Sequence, residues 1–176
     1  FAQKQPVDAI LAVDDSGVVL AAQAAARLGL AHNDAQAAAA ARDKYLMRSL
    51  MAAAGVPCPW FRHFSTADDL TALAAELAYP CVVKPLHLNA SRGVIRADNP
   101  VEFIAAARRT ARIVAADNPE TAHHALLVAG FIPGREVALE GMLDDGTLTV
   151  LALFDKPDPL DGPYFEETIY VTPSRL

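Results

Sequence analysis

Along the chain the apolar positions change period several times, and each change marks an element. Asp8 to Val13 (DAILAV) is a nearly continuous apolar run, the pattern of a strand buried on both faces. Asp14-Asp15-Ser16 then leads into an alanine-rich stretch that reads as a helix to about Leu28, closed by Gly29. Together these read as one strand-helix unit of an α/β sheet. Asp15 or Ser16 would cap the helix, and the end of such a strand is also where open α/β sheets bind ligands, which puts Asp14 and Asp15 within reach of a substrate. Helical spacing returns near Asp43 in ARDKYLMRSLMAAAG, with Met47, Leu50, Met51 and Ala54 in step and Gly55 ending the helix before Pro57.

From Pro57 the pattern is different. Trp60 to Phe64 reads as a strand, and Ser65-Thr66 with Asp68 and Asp69 resembles a capping box ahead of a helix that buries Leu70, Leu73, Ala74 and Leu77. Cys81 to Val83 is a short buried strand that runs into Lys84, Pro85 and a polar loop closed by Gly93; Val94 to Ala97 is a further strand. Pro100 opens a helix with Phe103, Ala107, Ala111 and Val114 on one face and Arg108, Arg109 and Arg112 on a solvated one. Ala125 to Phe131 is a strand, and Glu136 to Met142 with Leu148 to Phe154 forms a hairpin across Asp144-Asp145-Gly146. The order from Pro57 to Phe154 is β-α-β-β-α-β-β-β, an α+β unit.

Composition narrows the function. A chain of 176 residues, 53% hydrophobic and 20% charged, can bury a core. Its net charge of -6 gives no electrostatic footprint for nucleic acid or an anionic membrane, so a small ligand is the expected partner. No stretch reaches the roughly 18 apolar residues of a membrane span, and no signal peptide is evident. Cys58 and Cys81 have no metal-ligand spacing and form no disulfide framework, which points to a reduced, cytoplasmic compartment. The chain opens on Phe1 with a strand close behind it, as a fragment would.

The candidate chemistry is concentrated at lysines. Lys84 ends a buried strand and precedes Ser91, Arg92 and Gly93, whose side chains and backbone N-H groups could hold phosphate oxygens, although no Walker loop is present. Taken alone, Lys84 either faces an anion or marks a strand emerging into water. Lys44 stands at a helix start, where the dipole disfavours a cation by about 0.3 to 1 kcal/mol; a bound anion reverses that penalty, and so do Asp43 and solvent. Glu136 and Glu140, roughly 13 Å apart along a strand at ~3.3 Å per residue, cannot share a metal ion. His123-His124 has no third ligand near in sequence and reads as solvated.

The order of these features, in RDKYLMRSLMAAAGVPCP, YPCVVKPLHLNASRGV, LLVAGFIPGREVALEG and LFDKPDPLDGPYFEETIYVTPSRL, resembles the ATP-grasp superfamily, specifically its bacterial ATP-dependent carboxylate-amine ligases. The resemblance implies a partial N-terminal α/β domain with linker helices over residues 1-56, a small α+β ATP-binding subdomain over 57-154, and the start of a truncated catalytic subdomain over 155-176. It implies that Lys44 and Lys84 bind the ATP phosphates with Ser91, Arg92 and Gly93, and that Lys84 stabilises charge on the transferring phosphoryl group. The Gly130 carbonyl and Ile132 amide would meet the adenine edge, and Glu136 the ribose hydroxyls. The family's Mg2+ ligands are expected beyond Leu176, so no metal ligand is assigned here. Two departures from the family pattern are the loop His87-Leu88-Asn89-Ala90, which lacks glycine, and the hinge Ala129-Gly130, which lacks a carboxylate.

The activity so implied is phosphorylation of a carboxylate to an acyl phosphate, which an amine attacks to give an amide and phosphate. Glu166, Glu167 and Ser174 are the candidate substrate contacts. Within the family, glycinamide ribonucleotide synthetase is the alternative, echoed by Asp155-Lys156 and Gly162-Pro163 but not by Tyr164-Phe165-Glu166-Glu167. A non-catalytic nucleotide-binding module is another. A nicotinamide-binding oxidoreductase lacks its G-x-G-x-x-G fingerprint at Asp14-Asp15-Ser16-Gly17. The expected partners are ATP and small-molecule carboxylate and amine substrates, with a homodimer left open.

Overall fold

The computed structural model describes residues 4–117, 125–166 and 168–176. Two compact units divide the chain, residues 1–58 and 59–176. His123-His124 and Glu167 lie outside the described residues.

The first unit is helical. After a single 3-10 turn over Asp15–Gly17 come α1 (Val18–Leu28), α2 (Ala35–Arg42) and α3 (Lys44–Ala53). The apolar run Asp8 to Val13 is not a strand, and the expected burial on both faces fails with it: Leu11 is 85% and Val13 103% exposed. Apolar sequence supplies side chains for a sheet but no partner for its backbone, and no ladder pairs with this segment among the described residues. Asp14, not Asp15 or Ser16, caps the turn, accepting from Ser16 N-H at 2.8 Å. Gly29 closes α1 in the left-handed region at φ 68°, as expected. Helix α2 has no counterpart in the sequence reading; Asp34 caps it by accepting from Ala37 N-H.

The second unit follows the expected order. Strand β1 (Phe61–Ser65) is followed by α4 (Leu70–Glu76), β2 (Cys81–Pro85), β3 (Ile95–Ala97), α5 (Pro100–Asp117), β4 (Ala125–Gly130), β5 (Val137–Asp144) and β6 (Thr147–Asp155). The first four strands form one antiparallel sheet in the order β1-β4-β2-β3, while β5 and β6 form a separate hairpin. The Asp145-Gly146 turn has φ 44° and 78°, the paired positive angles of a type I′ hairpin. Asp69 caps α4, accepting from Thr71 and Ala72, and Asp68 reaches back to Ser65 N-H at 2.8 Å.

Helices α4 and α5 cover one face of the sheet. Phe64, Cys81, Val83, Leu126 and Val128 alternate onto that face and meet Leu73, Phe103 and Ala107 in the core. Phe64 and Phe103 pack tilted with ring centroids 5.4 Å apart. The opposite residue of each strand pair therefore belongs to the face that α4 and α5 leave uncovered.

Candidate functional site

The strand-end lysine belongs to that second face. In β2, Cys81, Val83 and Pro85 are buried toward the helices, while Val82 and half-buried Lys84 point the other way. Cross-strand pairing then builds two rows: Phe61, Ala129, Val82 and Arg96 in one, His63, Leu127 and Lys84 in the next.

Beyond Lys84 the chain winds through two turns, with Arg92 N-H donating to the Asn89 carbonyl at 3.2 Å and Val94 N-H to the Ser91 carbonyl at 3.0 Å. Ala90, Ser91 and Gly93 all have positive φ, of 50°, 53° and 72°. The glycine-free start of the loop is thus accommodated by left-handed alanine and serine. The N-H groups of Ser91 and Gly93 make no hydrogen bond to another described residue, which leaves them available as anion donors. Gly93 is buried, and its carbonyl accepts from the buried Thr110 hydroxyl of α5 at 2.9 Å. Arg92 is differently occupied: its guanidinium is held by Asp117 at 2.7 Å and donates to Asn89.

Strand β4 lies beside β2, so the segment after Gly130 emerges next to the same face. Gly130 N-H donates to the Trp60 carbonyl at 2.9 Å and Phe131 N-H to the Pro80 carbonyl at 3.1 Å. The Ile132 N-H, on a residue 64% exposed, has no partner among the described residues. Gly130 also explains the missing hinge carboxylate. A Cβ there would lie 2.7 Å from Trp60 Nε1, so the indole occupies the space a side chain needs.

Glu136 pairs with Lys156 at 2.5 Å, and the preceding Arg135 reaches diagonally to Asp155 at 3.0 Å, both at the open end of the β5-β6 hairpin. The Lys156 side chain is 9% exposed and its Nζ lies 5.3 Å from the Tyr170 ring. Sequence reasoning did not assign Lys156 a ligand role. The signal was present, because Asp155-Lys156-Pro157 repeats the strand-Lys-Pro ending of Val83-Lys84-Pro85.

Asp155 is buried and accepts from the Ser174 hydroxyl at 2.6 Å and the Arg175 N-H at 3.1 Å. Those hydrogen bonds, reinforced by the Arg135 and Arg175 charges, hold its carboxyl below the ordinary carboxylate range. Ser174 thus has its hydroxyl committed to Asp155. Glu166 is exposed. Lys44 opens α3 in the first unit, where Asp43 caps the helix by accepting from Tyr45 at 2.8 Å and Leu46 at 2.9 Å. Within the second unit Lys84, Ser91 and Gly93 share one strand-loop connection at the Pro85 end of β2, while Gly130 pairs with Cys81, so the segment through Ile132 leaves from the other end of that strand.

Among the described residues, no three His, Cys, Asp or Glu side chains cluster closely enough to hold a metal ion, and no helix is long and apolar enough to cross a membrane.

Several known proteins are similar to this chain. The alanine–anticapsin ligase of Bacillus amyloliquefaciens is 29% identical, over 97% of this chain and 39% of its own length. The D-alanine–D-alanine ligase of Aromatoleum aromaticum is 29% identical over 80% of this chain and 43% of its own. The crystal structure of an L-amino acid ligase from Bacillus licheniformis superposes with a TM-score of 0.77 at 27% identity, over 99% of this chain and 39% of that one. An ADP complex of N5-carboxyaminoimidazole ribonucleotide synthetase, 15% identical with a TM-score of 0.70, shares the fold over 96% of this chain and 42% of that one. The chain therefore spans about two fifths of these relatives. The ATP-grasp domain profile matches residues 77–176, from the end of α4 through the strand-end lysine, its loop and the hairpin, and on that match the chain belongs to the ATP-grasp family.

Proposed function

We propose that this chain carries the nucleotide-binding part of a cytoplasmic ligase that couples ATP cleavage to joining a carboxylate and an amine, both supplied by amino acids. The observation that carries this reading is Lys84, on the sheet face opposite α4 and α5, ahead of a loop whose Ser91 and Gly93 N-H groups have no partner among the described residues. The names of the amino acid ligases among its relatives motivate the substrate class. Residues 1–56 would form the linking helical part of an N-terminal domain, 57–154 the small nucleotide subdomain and 155–176 the entry to a catalytic one.

The residues present fit a nucleoside triphosphate. The Ile132 amide with the Gly130 carbonyl would meet the adenine edge. Glu136, held by Lys156, would accept from the ribose hydroxyls. Lys84, with the Ser91 and Gly93 amides, would bind the phosphates, and Arg92 would shape the loop through Asp117 and Asn89; for Lys44, in the first unit, a phosphate role rests on the sequence resemblance alone. ATP supplies the phosphoryl group that turns the carboxylate into an acyl phosphate, whose carbon the amine attacks as phosphate leaves. Lys84 would hold the charge that builds on the transferring oxygens. The described residues do not by themselves fit Mg2+, and no step is assigned to it. Glu166 and Glu167 would face substrate, with Ser174 acting through Asp155. Neither nucleic acid nor membrane takes part, and a homodimer is compatible with this reading.

Photolabelling with 8-azido-ATP tests it. The label is expected on a peptide containing Ile132 to Glu136 and should be suppressed by unlabelled ATP. Labelling spread over the chain, or insensitive to ATP, would remove the basis for the proposal.

A further inference from the structure

A cavity of about 690 Å³ lies along the β3 edge of the sheet, between α5 and residues 161–164. That volume is typical of small-molecule sites, which run from about 300 to 1,000 Å³. Its outer wall is fastened in place. Ile95 and Tyr164 form an isolated β-bridge, Arg96 N-H donates to the Pro163 carbonyl at 2.9 Å, and Arg96 Nη1 donates to the Asp161 carbonyl at 2.7 Å. Gly162 permits the approach: its φ is 94°, and a Cβ there would come within 2.9 Å of Arg96 Cβ.

The charges lining this cavity are sorted by what already holds them. Arg96 is committed to Asp98 at 2.6 Å and lies over the Phe131 ring at 4.3 Å. Glu102 accepts from Asp98 N-H and Asn99 Nδ2, both at 2.8 Å, at the start of α5. Arg109, Arg112 and Asp161 remain. Arg109 is held over the Tyr164 ring at 4.9 Å, and neither arginine has a carboxylate partner among the described residues; nor does the Asp161 carboxylate have a cation. Arg109 and Arg112 are three apart on α5 and share a side of it. Ile95, Ala105, Ala106, Pro163 and the Tyr164 ring supply apolar wall.

We propose that this cavity binds a free α-amino acid with an apolar side chain. The carboxylate pairs with the Arg109 and Arg112 guanidinium groups, the ammonium with Asp161, and the side chain packs against the Tyr164 wall. A simple anion would leave Asp161 opposed to it, and a simple cation would oppose two guanidinium groups. A zwitterion satisfies both, and the guanidinium fork is the donor suited to a carboxylate. The site stands on the helix side of the β3 edge, apart from the face that carries Lys84, and does not depend on the ligase reading.

Calorimetric titration of the chain without nucleotide tests this, using L-leucine and L-phenylalanine, then L-leucinamide, which lacks the carboxylate, and N-acetyl-L-leucine, which lacks the ammonium. At least one free amino acid is expected to bind at one site, with each leucine analogue and the Arg112→Ala variant weaker by about tenfold, the cost of one charged contact. Lys84→Ala should bind as the unaltered chain does. Arg112 is exposed, so an unchanged melting temperature will show that its variant is folded. Failure of both amino acids to bind overturns the proposal, as does equal binding of either analogue or loss of binding in Lys84→Ala.

Discussion

Thr110→Val should loosen the loop that follows Lys84. Thr110 is completely buried, and its hydroxyl is the donor to the Gly93 carbonyl at 2.9 Å. Its Cγ2 stands 3.4 Å from the position a Cβ on Gly93 would take, so the two residues are in close contact. Valine keeps the shape and removes the donor. The hydrogen bond itself contributes about 0.5 to 1.5 kcal/mol, and leaving a buried carbonyl unpaired costs about 1 to 3 kcal/mol, partly the same loss counted from the other side. The extra methyl returns up to about 0.8 kcal/mol of burial. A net loss of about 1 to 3 kcal/mol is expected. Trp60, the one tryptophan, packs against Gly130 in the same unit, so its fluorescence can follow unfolding in urea. The midpoint should fall with the slope unchanged. Thr110→Ser retains the donor and should keep ATP affinity even if it loses stability with its methyl group, whereas Thr110→Val should weaken ATP binding. A valine variant with the unaltered midpoint and affinity would refute the anchoring role.

Three further outcomes follow from separate parts of the structure. Gly130→Ala forces a Cβ to within 2.7 Å of Trp60 Nε1, so the indole must move; a shift in tryptophan emission and a loss of about 1 to 3 kcal/mol are expected in the same urea assay. Burial pushes the Cys81 thiol up to about 12, so at pH 8 it stays protonated. Iodoacetamide should then modify only Cys58 in the folded chain, and both cysteines in denaturant. The Asp155 carboxyl titrates lower in the folded chain than in the unfolded one, so its stabilisation is complete above the ordinary carboxylate value and is lost as pH falls through the folded value. Asp155→Asn should accordingly melt lower than the unaltered chain at pH 7, with the gap closing under acid conditions.

What sequence revealed depended on whether a feature was local. The β-α-β-β-α-β-β-β order could be read because each element has its own period and its own terminator: Asp69 before α4, the Asp-Gly turn between β5 and β6, the alternation through Lys84. Asp8 to Val13 misled because a strand requires a partner that no run of side chains encodes. Helix α2 escaped notice because Ala35–Arg42 is nearly all alanine, which favours helix but writes no amphipathic stripe. At the candidate site, what the sequence made legible was local: a buried strand running into Lys84 and Pro85, and a second strand ending near Gly130. The Trp60–Gly130 packing, the engagement of Arg92 by Asp117 and the Arg96 fastening of residues 161–164 join distant segments, and only the folded chain displays them.

The central claim, that a polyphosphate lies beside the strand-end lysine, is tested most directly by calorimetric titration with ATP of the unaltered chain and of Lys84→Ala. The account predicts saturable binding that the substitution weakens by about tenfold or more, roughly 1.4 kcal/mol. Equal affinity in the two proteins, or no ATP binding by the unaltered chain, would contradict it.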